Sequence, residues 1–142
     1  MHKSLHLRTS YRLAVAMALV VLLCALFGNG IQFLLVAPFL LAGLASGLLQ
    51  GRAVRSAPAA FLAADSWSAV RAALNRSLPG KLSLGLTWAN AIALLLVIAL
   101  YRPTPTMATV LICYATFMLA RELTAIPALH TLNATRSEED AA

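Results

Sequence analysis

Acidic residues are scarce in this chain, five Asp and Glu among 142 positions, and charged residues of both signs reach only 11%. A soluble domain carries about 25% charged and about 45–50% apolar residues. Here the apolar share is 61%, which is a membrane composition. Roughly four spans of about 20 residues each would take up more than half of such a length, leaving little for a separate soluble catalytic module.

Other absences narrow the function. Cys24 and Cys113, the two cysteines, both lie inside apolar runs, where a thiol behaves as a small hydrophobe and not as half of a disulfide or a metal ligand. There is no HExxH, no CxxC and no phosphate-cradling glycine loop: Gly28-Asn29-Gly30-Ile31-Gln32-Phe33 lacks the third glycine and follows no strand. His2, His6 and His130 have no clustered carboxylate beside them. No catalytic residue, cofactor or metal is therefore expected, and an enzyme is the least favoured class. The cores of the apolar runs hold no Asp, Glu, Lys, Arg or His. Proton- and cation-coupled carriers, including small four-span exporters built on an embedded glutamate, depend on such a group.

What is present is a pattern of apolar runs. A basic segment, residues 1–12, leads into Leu13 to Phe27. Secretory signals begin in the same way, but no small-x-small cleavage site follows, so an uncleaved first helix is expected. Gly28-Asn29-Gly30 is turn chemistry, and it returns the chain into a second run, Ile31 to Leu49, free of charge over 19 residues. These two spans are expected to form a hairpin over residues 13–49. After a basic loop, residues 50–81, come a third span, Leu82 to Tyr101, and a fourth, Met107 to Ala120, joined by Arg102-Pro103-Thr104-Pro105-Thr106. This second hairpin is expected to continue to Ile126, where Pro127 stops the helix. Residues 127–142 lack apolar periodicity and are expected to be disordered.

The net charge of +6 could belong to a nucleic-acid binder, but the basic residues sit between apolar runs, so membrane lipids are the expected anionic partner and no nucleic acid is expected. Lys3, Arg8, Arg12, Arg52, Arg55, Arg71, Arg76, Lys81, Arg121 and Arg136 fall on one side of a four-span layout, and Arg102 alone on the other. Lys and Arg near span ends resist translocation. The partition of ten to one therefore predicts cytoplasmic termini and a cytoplasmic middle loop, as in a multi-pass protein of the bacterial inner membrane.

Within the middle loop, the alanine-rich stretch between Pro58 and Pro79 has no internal breaker and predicts one helix. Trp67, Val70, Leu74 and Leu78 share a face, with Asp65 and Arg76 opposite. That is the pattern of an amphipathic helix on the cytoplasmic surface, with Trp67 at headgroup depth and the stems of Arg71 and Arg76 snorkelling. Such a helix serves either as a connector covering the end of the bundle or as a docking or gating element.

Small residues mark the packing faces. Gly43, Gly47 and Gly51 recur every four residues beside Ser46, a spacing that lets another helix approach closely. Span one, with Ala14, Ala18 and Ala25, is the expected partner within the chain; a homodimer seam is the alternative. Span three presents Ser83, Thr87 and Asn90, and span four presents Thr106, Thr109, Cys113, Thr116 and Ala120. Depth matching across the second hairpin places Asn90 level with Thr116, giving an interhelical hydrogen bond or, alternatively, a polar path for a solute. Arg121 and Glu122 are expected to be interface residues reaching the headgroups.

The combination of Ala37-Pro38-Phe39 within a span, a small-residue exit from Gly47 to the basic Arg55, an amphipathic segment with an aromatic, and Lys81 leading to Gly85 resembles the repeating module of certain uncharacterised multi-pass inner-membrane proteins of proteobacteria. The resemblance covers residues 31–90 and implies topology only. The expectation is an all-α integral membrane protein with four transmembrane helices in two hairpins and a surface helix between them. Its expected role is a non-catalytic accessory, assembly or interaction subunit that packs on other membrane proteins or on itself. The alternatives are a small channel or carrier for an uncharged solute and, less favoured, a membrane enzyme or a bacteriocin-immunity-type protein.

Overall fold

A computed structural model of the chain describes residues 5–31, 33–100 and 107–141. Within them the protein is all-helical: α1 Leu5–Phe27, α2 Phe33–Ser56, α3 Pro58–Leu62, α4 Trp67–Leu74, α5 Leu78–Leu100 and α6 Met107–Ala141. Four of these, α1, α2, α5 and α6, contain stretches long and apolar enough to cross a membrane. The Pro103–Pro105 segment, Arg102, Thr106 and Lys3 lie outside the described residues.

α1 closes where Gly28 N–H reaches the Cys24 carbonyl, 2.8 Å away, and Gly30 then adopts a left-handed φ of 69°. The reversal therefore uses the glycines as the sequence indicates. The two helices it joins do not form the principal packed pair. α6 packs along both α1 and α2, and α5 lies on α2 with lesser contact to α6. The centre of the bundle is thus α6, whose Ile112, Cys113, Ala115, Phe117, Met118 and Ala120 are all buried.

α6 also corrects the expectation of a helix ending at Ile126 and a disordered tail. It runs through Pro127 to Ala141. An internal proline costs a helix about 3 kcal/mol through the lost N–H and the clash one turn back. Beyond it, Ala128, Leu129 and Leu132 are buried against Ala53 and Val54 of α2, Phe61 of α3, and Val70 and Leu74 of α4. Burying each large aliphatic side chain contributes about 1.5–3 kcal/mol, so the cluster outweighs the proline. Tyr11 of α1 adds a hydrogen bond and an edge-on ring contact to His130, with centroids 5.5 Å apart.

The middle segment differs in two ways from the single surface helix expected. α2 extends to Ser56, so Gln50, Gly51, Ala53 and Val54 are buried helical residues and not loop. The remainder divides into α3 and α4, because Ser66 caps α4 by accepting the Ala69 N–H at 3.3 Å. A capping serine supplies the acceptor that a continuous helix would take from its own backbone. The expected shared face is split as well. Val70 and Leu74 are buried in the cluster, whereas Trp67 and Leu78 are exposed, and Leu78 opens α5. Ser77 caps that helix, with Lys81 N–H on its carbonyl and Gly80 N–H on its hydroxyl. Arg71 and Arg76 are exposed.

Candidate functional site

α2 presents two sides that position everything else. One carries the glycine stripe, and it faces α6 and not α1. A Cβ at Gly43 would strike the Phe117 carbonyl oxygen and lie 3.0 Å from the Ala120 Cβ; one at Gly47 would collide with Thr124 Oγ1 and come 2.5 Å from the Arg121 carbonyl oxygen. At Gly51 the Ala128 Cβ is 3.5 Å away, an ordinary contact. The bare stripe thus admits the α6 backbone itself. Ala14 of α1 is buried but Ala18 and Ala25 are exposed, so the alanine face expected to receive the glycines does not. A four-residue spacing marks a face without naming the helix opposite. Gly43 and Gly47 are both buried within the chain, which removes them as a surface for a partner protein.

The other side of α2 meets α5 through a serine clasp. Ser46 and Ser83, both fully buried, place their hydroxyls 3.1 Å apart, and the Ser83 hydroxyl donates to the Ser46 carbonyl at 3.0 Å. The Ser46 hydroxyl then donates to the Ser83 hydroxyl, so both protons are used in a medium without water.

Beyond the clasp α2 and α5 leave a cavity of about 350 Å³ between them, walled by Leu35, Phe39 and Ala42 on one helix and Leu86, Asn90 and Ala93 on the other. Exposed Pro38 and Ala89 form its rim, so it opens sideways where lipid would surround a membrane-spanning bundle. Asn90 is 6% exposed and its Oδ1 has no hydrogen-bond partner. An amide oxygen buried without a donor costs about 1–3 kcal/mol, so Asn90, which lines this cavity, carries an unsatisfied acceptor among apolar neighbours.

The expected bond between Asn90 and Thr116 does not form. Asn90 is turned toward α2, and Thr116 is half-buried on α6, which has only slight contact with α5. Depth matching along the second hairpin presumed that its two helices pack on each other; instead each packs chiefly on α2. The remaining hydroxyls serve the backbone. Thr87 donates to the Ser83 carbonyl at 3.1 Å within α5, and buried Thr109 lies 3.5 Å from the Gly30 carbonyl, linking α6 to the first turn. No continuous polar path emerges from these positions.

Glu122 is the residue that sequence reasoning misplaced most. It was expected at the lipid headgroups, yet it is 4% exposed. The Ser10 hydroxyl, also buried, hydrogen-bonds its carboxylate, and Arg121 Nη1 lies 3.8 Å from Oε1. α1 covers this carboxylate because α6 is flanked by α1 along its length. In the sequence Ser10 is only one polar residue of the basic segment, and nothing local links it to Glu122.

Comparison with protein-family models, curated proteins and solved structures gives no match. The geometry itself defines a helical protein with four potential membrane spans, a tightly closed α2–α6 core and a side cleft between α2 and α5.

Proposed function

We propose that this is a non-catalytic, multi-pass bacterial inner-membrane protein with cytoplasmic termini, acting as an accessory, assembly or interaction subunit through helix packing. The partner's helix lies along the α2–α5 cleft and sends a hydrogen-bond donor to Asn90. The observation that carries this reading is that Asn90, whose buried Oδ1 has no partner, lines an apolar cleft that opens sideways. Interhelical hydrogen bonds are a usual adhesive in membranes, at about 1–2 kcal/mol in model peptides and about 0.6 kcal/mol on average in an intact protein. The partition of basic residues, ten on one side and Arg102 on the other, supports the orientation.

A second reading, a small channel or carrier for an uncharged solute, draws on the cavity volume of about 350 Å³. That lies within the usual range for small-molecule sites. The separation of Asn90 from Thr116 weighs against a path through the bundle.

The two readings part on purification in mild detergent. The wild type is expected to co-purify with a larger membrane protein, and Asn90→Leu to lose that partner by about fivefold, the equivalent of one interhelical hydrogen bond. Because the substitution removes an unsatisfied polar atom, it is expected to leave folding intact. An isolated wild-type monomer that passes an uncharged solute in liposomes would favour the carrier instead.

A further inference from the structure

Where α4 meets α5, along a different face of α5 from the one that lines the Asn90 cleft, lies another cavity, of about 520 Å³. Arg71 and Asn75 line it from α4, and Lys81, Gly85, Trp88 and Ala91 line it from α5. Arg71 and Asn75, the residue that closes α4, are one turn apart and share a face about 100° round the helix from the buried Val70 and Leu74. Lys81, Gly85, Trp88 and Ala91 follow at helical spacing down one face of α5, a descent of about 15 Å. The elbow between the two helices is tight: at Gly80 any Cβ would meet the Leu74 backbone, its carbonyl carbon being 2.7 Å away.

The cavity is therefore graded from two cations and an amide at the elbow to an aromatic and an alanine deeper along the span. Its lining contains no carboxylate to neutralise Arg71 or Lys81. At Gly85 the wall is open: an added Cβ would meet nothing within 4 Å. A soluble anion would use only the upper part of such a site, and a hydrocarbon only the lower. An amphiphile with an anionic head uses both.

We propose that this cavity is a binding site for an anionic glycerophospholipid of the leaflet on the α4 side. The phosphate sits between the Arg71 guanidinium and the Lys81 ammonium, with the Asn75 amide as a further donor. One acyl chain descends through the slot left by Gly85, against the Trp88 ring and Ala91. The site depends on the helices crossing a membrane and is independent of any partner at Asn90.

The test uses full-length protein, delipidated in nonionic detergent and titrated with phosphatidylglycerol or phosphatidylcholine while bound lipid is counted by native mass spectrometry. Phosphatidylglycerol is expected to bind at least about tenfold more tightly, since each basic residue near an anionic headgroup favours it about fivefold. Arg71→Gln with Lys81→Gln is expected to abolish the preference, and Arg52→Gln with Arg55→Gln to leave it intact. Gly85→Leu is expected to weaken phosphatidylglycerol binding with every charge retained, and the open space around Gly85 lets that variant fold. Equal losses from the Arg71–Lys81 and Arg52–Arg55 double variants, or undiminished binding by Gly85→Leu, would show diffuse surface attraction and overturn the site. Displacement of the lipid by an equal concentration of glycerol phosphate would also overturn it, by assigning the cations to a soluble phosphate.

Discussion

Gly47→Leu is expected to prevent the bundle from forming, and not merely to weaken self-association. The first atom of the new side chain would already overlap Thr124 Oγ1 and approach the Arg121 carbonyl to 2.5 Å, before its branched end is placed. The threonine can rotate away; the α6 backbone cannot, because it is held on its other side by α1. Overpacking a core costs about 1–3 kcal/mol, and more where backbone must separate, so a loss of about 3 kcal/mol or more is expected. Gly43→Leu meets the Phe117 carbonyl and is expected to behave alike, whereas Gly51→Ala, at 3.5 Å from Ala128, is expected to be near neutral. Thermal aggregation of the three variants in detergent ranks them. A folded Gly47→Leu monomer that had lost only a dimer would reinstate the glycine stripe as a seam between copies.

Truncation after Ile126 gives the second large effect. A disordered tail would make the deletion silent, but here it removes Ala128, Leu129 and Leu132 from the cluster that includes Phe61, Val70 and Leu74. Losing one large buried aliphatic side chain costs about 2–5 kcal/mol, and this deletion removes two together with the contacts of Tyr11 to His130. α3 and α4 would lose their floor, so protease cleavage at Arg71 and Arg76 is expected to accelerate at least tenfold while the membrane spans stay protected. Leu129→Ala is expected to reproduce part of the acceleration.

The two effects show where the sequence could be read and where it could not. Charge-free runs made the four spans legible, because burying an unpaired charge in lipid is prohibitive and the pattern is local. Gly28 and Gly30 made the first turn legible for a similar reason: backbone freedom is a property of the residue. Gly43 and Gly47 revealed a close contact but not its partner, since helical period specifies a face and topology decides what meets it. The passage of α6 through Pro127 was hidden because local chemistry opposes it and a distant cluster, drawn from α2, α3 and α4, overrides it. Ser66 was legible in principle as a cap, yet the alanine-rich stretch around it read as one helix. Glu122 went unrecognised as a buried group because its cover, Ser10, lies on another span 112 positions earlier. Of the candidate site, Asn90 was picked out by its type, while its place toward α2 follows from α5 packing on α2 and only slightly on α6.

These placements converge on one requirement. α6 seals the glycine face of α2, so the proposed interaction role falls on the face α2 shares with α5, where Asn90 lacks a donor. The most direct measurement places a photo-crosslinking amino acid at Ala93, in the wall of the cleft one turn from Asn90, and irradiates intact membranes. The account predicts a protein adduct of discrete mass that fades when Asn90→Leu is added. Adducts with lipid alone, unchanged by that substitution, would contradict it.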